Sequence, residues 1–296
     1  MKVVWVYENI TGLNSFYSKF NITLLITSVC LWKKYHPKHK TNLYVDEQTY
    51  NKLIDLDVTY LWDNVRLLDY KDNINREKLW AGCKTKVISQ TKDPMIMVDH
   101  DFLIFKNIDE YLNNEIIYSY DEDMSSWYID SEDTYNKQLT TPIEFYQNTA
   151  ANVSLLYLPD PIFAKEYGEA VTTNLKEFTA LLGKAIHTGY LTICEQFLLK
   201  EWVVKRNLPH RPLTKNIYSC KDVKHTDELN LSGIWTLKES FLYYKHYGVD
   251  KRNVLDNRKS RSYDNTMAYL YNCIKASKLI NIEYLDNKLN REIISR

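Results

Sequence analysis

The sequence predicts an α/β protein, and three observations lead there. Short apolar runs of strand length alternate with longer stretches of helical spacing. Met95-Ile96-Met97-Val98 is apolar without interruption, as suits a strand covered on both faces of its sheet. Gly and Pro number seven each and no low-complexity linker or repeat occurs, so no internal domain boundary is visible. A chain of 296 residues is long enough to bury a sizeable core.

Residues 3–7 form a short apolar run, the expected first strand. Residues 15–35 have helical spacing, with Phe16, Phe20, Leu24, Leu25, Val29 and Trp32 on one side. Strands are expected at 42–45 and 65–68, with a short helix at 46–56 between them. Residues 77–91 read as a helix ending before Asp93-Pro94, and 95–98 as a central strand. Two more strands are expected at 115–120 and 152–158. Between them, 121–147 is polar and rich in Asp, Ser, Thr and Tyr, the composition and length of a functional loop. Helices are expected at 162–182 and 189–207, and 265–290 is mostly helical in pattern. In that tail Met267, Leu270, Cys273, Ile274 and Leu279 are expected to pack back on the core.

Composition disfavours several function classes. Lys plus Arg and Asp plus Glu both total 38, so the net charge is zero, which argues against nucleic acid as a partner. The five cysteines are scattered without a Cys-x-x-Cys pair, which argues against structural zinc. The apolar settings of Cys30 and Cys194 suggest buried free thiols in a reducing compartment. The N-terminus lacks the apolar core of a signal peptide, and residues 22–32 are too short an apolar stretch to span a bilayer. The expectation is a cytoplasmic protein without a membrane span.

The chemistry concentrates after the central strand, where Asp99-His100-Asp101 interrupts an apolar run that resumes at Phe102-Leu103-Ile104-Phe105. Burying an unpaired carboxylate is costly, so such groups are paired, exposed at a strand end or bound to metal. Ligands of open α/β sheets bind at the carboxyl ends of strands, where these side chains fall. Oxygen ligands suit Mg2+ or Mn2+, and an added imidazole tilts the choice to Mn2+. The triplet alone is weak evidence, since Asp55-Leu56-Asp57 and Asp121-Glu122-Asp123 share its spelling. An exposed acidic turn is the bland alternative. A phosphatase of the haloacid dehalogenase type also places Asp-x-Asp after four apolar residues. Its motif usually continues with Thr or Val and stands near the start of the chain, whereas here Phe102 follows.

The order of blocks resembles the GT-A fold glycosyltransferases, most closely the family-8-like type of glycogenin and bacterial galactosyltransferases. The resemblance covers roughly residues 3–252. It is carried by the first strand through Val6 and Tyr7, by the basic helix Cys83-Lys84-Thr85-Lys86-Val87, by Asp99-His100-Asp101, and by Tyr244-Lys245-His246-Tyr247-Gly248-Val249-Asp250-Lys251. Asn152-Val153-Ser154 and Cys194-Glu195-Gln196 match two intermediate blocks more loosely. Lys replaces the usual Arg in the basic helix, Ser154 stands where Gly is expected, and Glu195 replaces Asp.

The resemblance implies a single GT-A, Rossmann-like domain over 1–252 with a mixed, mainly parallel sheet flanked by helices, and a helical C-terminal extension over 253–296. It implies a transferase that moves a sugar from a nucleotide-sugar donor, first of all a UDP-sugar, to a hydroxyl acceptor on a glycan, protein or other biomolecule. Asp99, Asp101 and His246 would hold Mn2+ or Mg2+. Val6, Tyr7, Lys84, Lys86, Asp99, Asp121, Asn152, Gly248 and Lys251 would bind the donor, and Glu195 or Gln196 would lie under the anomeric carbon. A catalytically inactive sugar- or protein-binding module on the same fold is the reading from another class.

Overall fold

The computed structural model describes residues 1–8, 15–69, 72–76, 79–123, 139–143, 149–183, 189–213, 217–219, 244–246 and 261–294. Along the chain the strands and helices are β1 (Lys2–Tyr7), α1 (Ser15–Tyr35), β2 (Lys40–Val45), α2 (Glu47–Asp55), β3 (Asn64–Leu67), α3 (Gly82–Ser89), β4 (Met95–Val98) and β5 (Phe102–Ile104). There follow β6 (Ile116–Asp123), β7 (Thr149–Leu158), α4 (Pro161–Leu182), α5 (Gly189–Thr192), a π-helical turn (Ile193–Phe197) and α6 (Leu198–Lys205). The last elements are β8 (His210–Pro212), β9 (Ile217–Ser219), β10 (Tyr244–His246), α7 (Arg261–Ser277) and α8 (Ile282–Ile294). This is the expected α/β class, with parallel and antiparallel strand pairs and helices at the C-terminal end. The chain divides into two compact units, one of Met1–Leu67, Asp99–Glu110 and Thr226–Arg296, the other of Leu68–Val98 and Tyr111–His225.

In the first unit β3, β2 and β1 pair in parallel, with Val3 opposite Thr41 and Leu43 opposite Val65. Parallel pairing aligns the carboxyl ends of the strands, so Tyr7, Val45 and Leu67 end on one edge. Helix α1 is buried all round from Phe20 to Trp32 rather than along one stripe. Two partners explain this. Trp5 of β1 meets it through Ser28 and an edge-on contact with Trp32, while Tyr263, Met267 and Leu270 of α7 join Phe20, Leu24 and Leu31 in one cluster. Helix α2 is capped by Asp46, whose carboxylate takes the Thr49 N–H and hydroxyl, a cap worth about 1 kcal/mol. Strand β10 runs antiparallel to β5, with His246 opposite Phe102.

In the second unit β7 lies between β4 and β6, antiparallel to both, and β8 and β9 each run parallel to β6. The register of β6 on β7 slips between Tyr118 and Tyr120. At that irregularity the Ser119 hydroxyl takes the Leu155 N–H at 2.8 Å, replacing a lost ladder bond. Helix α4 starts with Pro161 after the Asp160 cap, both favourable at a helix N-terminus. It packs on α3 at Gly168, where an added Cβ would stand 2.5 Å from Ser89 N and 2.6 Å from Thr85 O.

Four expectations are corrected. Among the described residues of the helix expected at 77–91, only Gly82–Ser89 is helical, and it is preceded by a turn in which Gly82 N–H bonds Leu79 O. The strands expected at 115–120 and 152–158 extend to Asp123 and start at Thr149, because β6 and β7 pair along that length. The helix expected at 189–207 contains a π-helical turn, and the short strands β5, β8 and β9 were not anticipated. Among the described residues no helix is long and apolar enough to cross a membrane.

Candidate functional site

The Asp-x-Asp triplet is a tight turn between β4 and β5. Phe102 N–H bonds Asp99 O at 3.1 Å, so the chain reverses across Asp99, His100 and Asp101. The turn is held from behind. Trp5 Nε1 donates to Ser28 Oγ at 2.9 Å, and Ser28 Oγ donates to Phe102 O at 2.8 Å. Asp101 is only 4% exposed, whereas Asp99 and His100 are half-buried. A carboxylate so far from water needs compensating partners.

His246 enters through backbone register. It lies opposite Phe102, the residue after Asp101, so β10 brings the expected third ligand beside the turn. The His246 side chain, Gly248 and Lys251 lie outside the described residues. Among the described residues no three of His, Cys, Asp and Glu gather into a metal cluster. Two carboxylates on the turn and an imidazole-bearing strand next to it fit a hard divalent cation such as Mn2+ or Mg2+.

On the same unit, Tyr7 ends β1 and its ring meets that of His100 edge-on at 4.9 Å. Burial first, and Asp46 second, push the Tyr7 hydroxyl well above the usual phenol range, with an Asn21 hydrogen bond opposing them. Tyr7 therefore stays a neutral donor. Val6 precedes it with partial exposure.

The second unit holds the other expected residues. Lys84 on α3 is buried, and its Nζ donates to Val153 O at 2.9 Å and lies 3.1 Å from Glu195 Oε1. Tyr167 OH donates to Glu195 O at 2.8 Å. Burial, and next Glu195, raise the Tyr167 hydroxyl far above its usual range. Glu195 and Gln196 sit in the π-helical turn, a feature frequent at functional sites. Among the described residues no hydrogen-bond partner reaches the buried Gln196 Oε1. Lys86 turns elsewhere, donating to Asp69 O at 2.6 Å.

Asn152 Nδ2 donates to Glu122 Oε1 at 2.7 Å, and its Oδ1 accepts from Ser154 N at 3.1 Å. Ser154, standing where Gly is expected, pairs its hydroxyl with that of Ser119 at 2.7 Å. Asp121 Oδ1 accepts from Lys200 Nζ at 2.8 Å and Tyr118 OH at 2.9 Å. Sequence reasoning missed Lys200, Tyr118, Ser28 and Tyr167. A lysine directly after the apolar run Phe197-Leu198-Leu199 was the signal for the first.

Over residues 5–278 the sequence matches a family described as a family of unknown function, DUF6734. No curated protein matches it. Similar solved structures include the galactosyltransferase LgtC with donor and acceptor sugar analogues, at 10% identity over 66% of this chain and 71% of that one, TM-score 0.39. The glycosyltransferase GlyE of Streptococcus pneumoniae TIGR4 is similar at 12% identity over 99% of this chain and 64% of that one, TM-score 0.44. The chain thus spans less than two thirds of the GlyE chain.

Proposed function

This chain belongs to the DUF6734 family of unknown function, and we propose that it transfers a sugar from a nucleotide-sugar donor, UDP-linked in the first instance, to a hydroxyl acceptor. The observation that carries the reading is the Asp99–Phe102 turn, with Asp101 buried in it and the His246 strand paired beside it. Asp99, Asp101 and His246 would hold Mn2+ or Mg2+, and a bound ion would supply Lewis-acid stabilisation of the departing diphosphate. Val6 and Tyr7 would line the base and ribose at the carboxyl end of β1. Gly248 and Lys251 would contact the diphosphate.

The chain's own residues divide the remaining work. The Lys84 ammonium group lies 3.1 Å from the Glu195 carboxylate, so the two buried groups act as a pair. Glu195 is then an orienting group that fixes Lys84, and Lys84 supplies the positive charge near the donor. Gln196 offers an acceptor oxygen without a donor among the described residues, suited to a sugar hydroxyl. Lys86, bonded to Asp69 O, supports the preceding loop rather than the donor.

The test is a thermal-shift panel of UDP-, GDP-, CMP- and ADP-linked sugars with and without Mn2+. A ligand that binds only the folded state raises the apparent melting temperature. One nucleotide class should stabilise the protein, and only when Mn2+ is present. Stabilisation by none of the four, or by a donor without metal, would remove the metal-dependent transferase reading.

A further inference from the structure

The first unit carries an exposed apolar patch. Among the described residues nine large apolar or aromatic side chains are exposed, and four of them, Ile54, Tyr60, Leu279 and Tyr284, come from elements that meet. Tyr60, 56% exposed on the short turn Thr59–Leu61 after α2, donates its hydroxyl to Leu279 O at 3.2 Å. Lys288 of α8 places its Nζ over the Tyr284 ring, 5.5 Å from the centroid, and donates at 2.9 Å to Asp55 O, next to Ile54 in α2. Single apolar residues scattered on a surface are ordinary, whereas a cluster of four marks an interaction site.

The charges around the patch select its partner. Asp55, Asp57 and Glu283 are exposed acids, Lys275 and Lys278 are exposed bases, and Lys288 is half-buried. Charges of both signs in equal number disfavour a partner of one sign, such as an anionic bilayer or a nucleic acid. The signs are also segregated: Asp55 and Asp57 stand at the end of α2, Lys275 and Lys278 at the end of α7. Lys278 precedes Leu279, and the Asp57 charge acts on the Tyr60 hydroxyl, so each member of the Tyr60–Leu279 pair has a charge of opposite sign beside it. Such a surface complements a copy of itself turned about a two-fold axis. Asp57 at φ 55° and Lys278 at φ 60° also keep charged side chains in the left-handed region where glycine is easier, a cost that an intermolecular charge pair would repay.

We propose that this patch is the contact face of a symmetric homodimer. Ile54, Tyr60, Leu279 and Tyr284 of one copy cover the same four residues of a second, and Asp57 of each copy faces Lys278 of the other. The proposal stands apart from the transferase reading, since none of these residues belongs to the metal or donor set. A two-fold contact makes every charge pair occur twice, and the test uses that doubling.

The experiment is sedimentation velocity of the full chain from about 1 to 100 μM, with Ile54→Lys, Asp57→Lys and Lys278→Glu variants. The wild-type protein should reach twice the chain mass as concentration rises. Ile54→Lys puts a cation in the apolar centre, and in the last turn of α2 that cation suits the helix dipole, so the fold is kept while dimerisation weakens at least about tenfold. Asp57→Lys and Lys278→Glu each set like charges face to face twice and should weaken self-association about as much. Mixed one to one, these two variants should form a heterodimer about as tight as the wild-type dimer, because both facing pairs are then of opposite sign. A single-chain mass at every concentration would overturn the proposal, as would a dimer unaffected by Ile54→Lys or a mixture no tighter than its components. Monomeric protein that sediments with vesicles of anionic lipid, and ceases to when Ile54 or Lys278 is changed, would assign the patch to a membrane surface and likewise overturn it.

Discussion

Ser28 and Phe102, 74 residues apart, are joined by a hydrogen bond of 2.8 Å from the Ser28 hydroxyl to the Phe102 carbonyl. The same hydroxyl accepts the Trp5 indole N–H, so one side chain ties β1 and α1 to the turn that carries Asp99 and Asp101. Ser28→Ala would remove the acceptor of the buried Trp5 indole N–H and the hydroxyl bond to Phe102 O, at a cost of about 1–3 kcal/mol. Urea denaturation should register that loss, and Mn2+-dependent donor binding should weaken with it. Unchanged stability would mean that the bond does not hold the turn.

Gly168 offers a sign test. In an unconstrained helix Gly→Ala stabilises by about 1 kcal/mol. Here the new Cβ would fall 2.5 Å from Ser89 N and 2.6 Å from Thr85 O, and backbone cannot step aside as a flexible side chain can. Forcing α3 and α4 apart costs about 1–3 kcal/mol or more, so the clash outweighs propensity. Gly168→Ala should therefore lower the denaturation midpoint. A raised midpoint would show that the helices separate freely.

The buried Lys84–Glu195 pair yields a third prediction. Both residues are nearly out of solvent, and they pair at 3.1 Å. Lys84→Met removes the cation 3.1 Å from the buried Glu195 carboxylate and should destabilise by about 3–5 kcal/mol, whereas Lys84→Met/Glu195→Gln should recover most of that loss. Chemical denaturation of the single and double variants measures the coupling. Additive losses would mean that the two groups do not interact.

Much of this frame was legible because it rests on local pattern. The apolar run before Asp99 marks β4, and helical spacing marks α1 and α4 to within a residue. Pairings across the chain were not legible. Nothing near Lys200 in sequence announces Tyr118 or Asp121, and a polar residue such as Ser28 inside an apolar helix looks incidental until its partners are known. The π-helical turn escaped because one added residue hardly disturbs a helical pattern read over a short window. Lys84 and Lys86 look alike in sequence, and only packing separates a lysine paired with Glu195 from one bonded to a loop carbonyl.

The last prediction concerns pH. The His36 ring stacks on Trp32 and His39, and its Nε2 accepts the Ile108 N–H at 3.0 Å, which requires an unprotonated Nε2. Burial lowers its pKa from 6.5 to about 4, and His39 adds to this while Asp109 and a Trp32 backbone hydrogen bond oppose it. Because the folded pKa is the lower one, the unfolded chain takes up the proton first as pH falls. The contribution is complete above about pH 6.5 and drains away toward pH 4, to a total of about 3 kcal/mol. His39, whose pKa burial also lowers, adds in the same direction. Urea midpoints measured from pH 7 to pH 4 should fall more steeply for the wild-type protein than for His36→Gln, whose amide oxygen can still accept the Ile108 N–H without titrating. Parallel profiles would show that His36 is as easily protonated in the folded protein as in the unfolded chain.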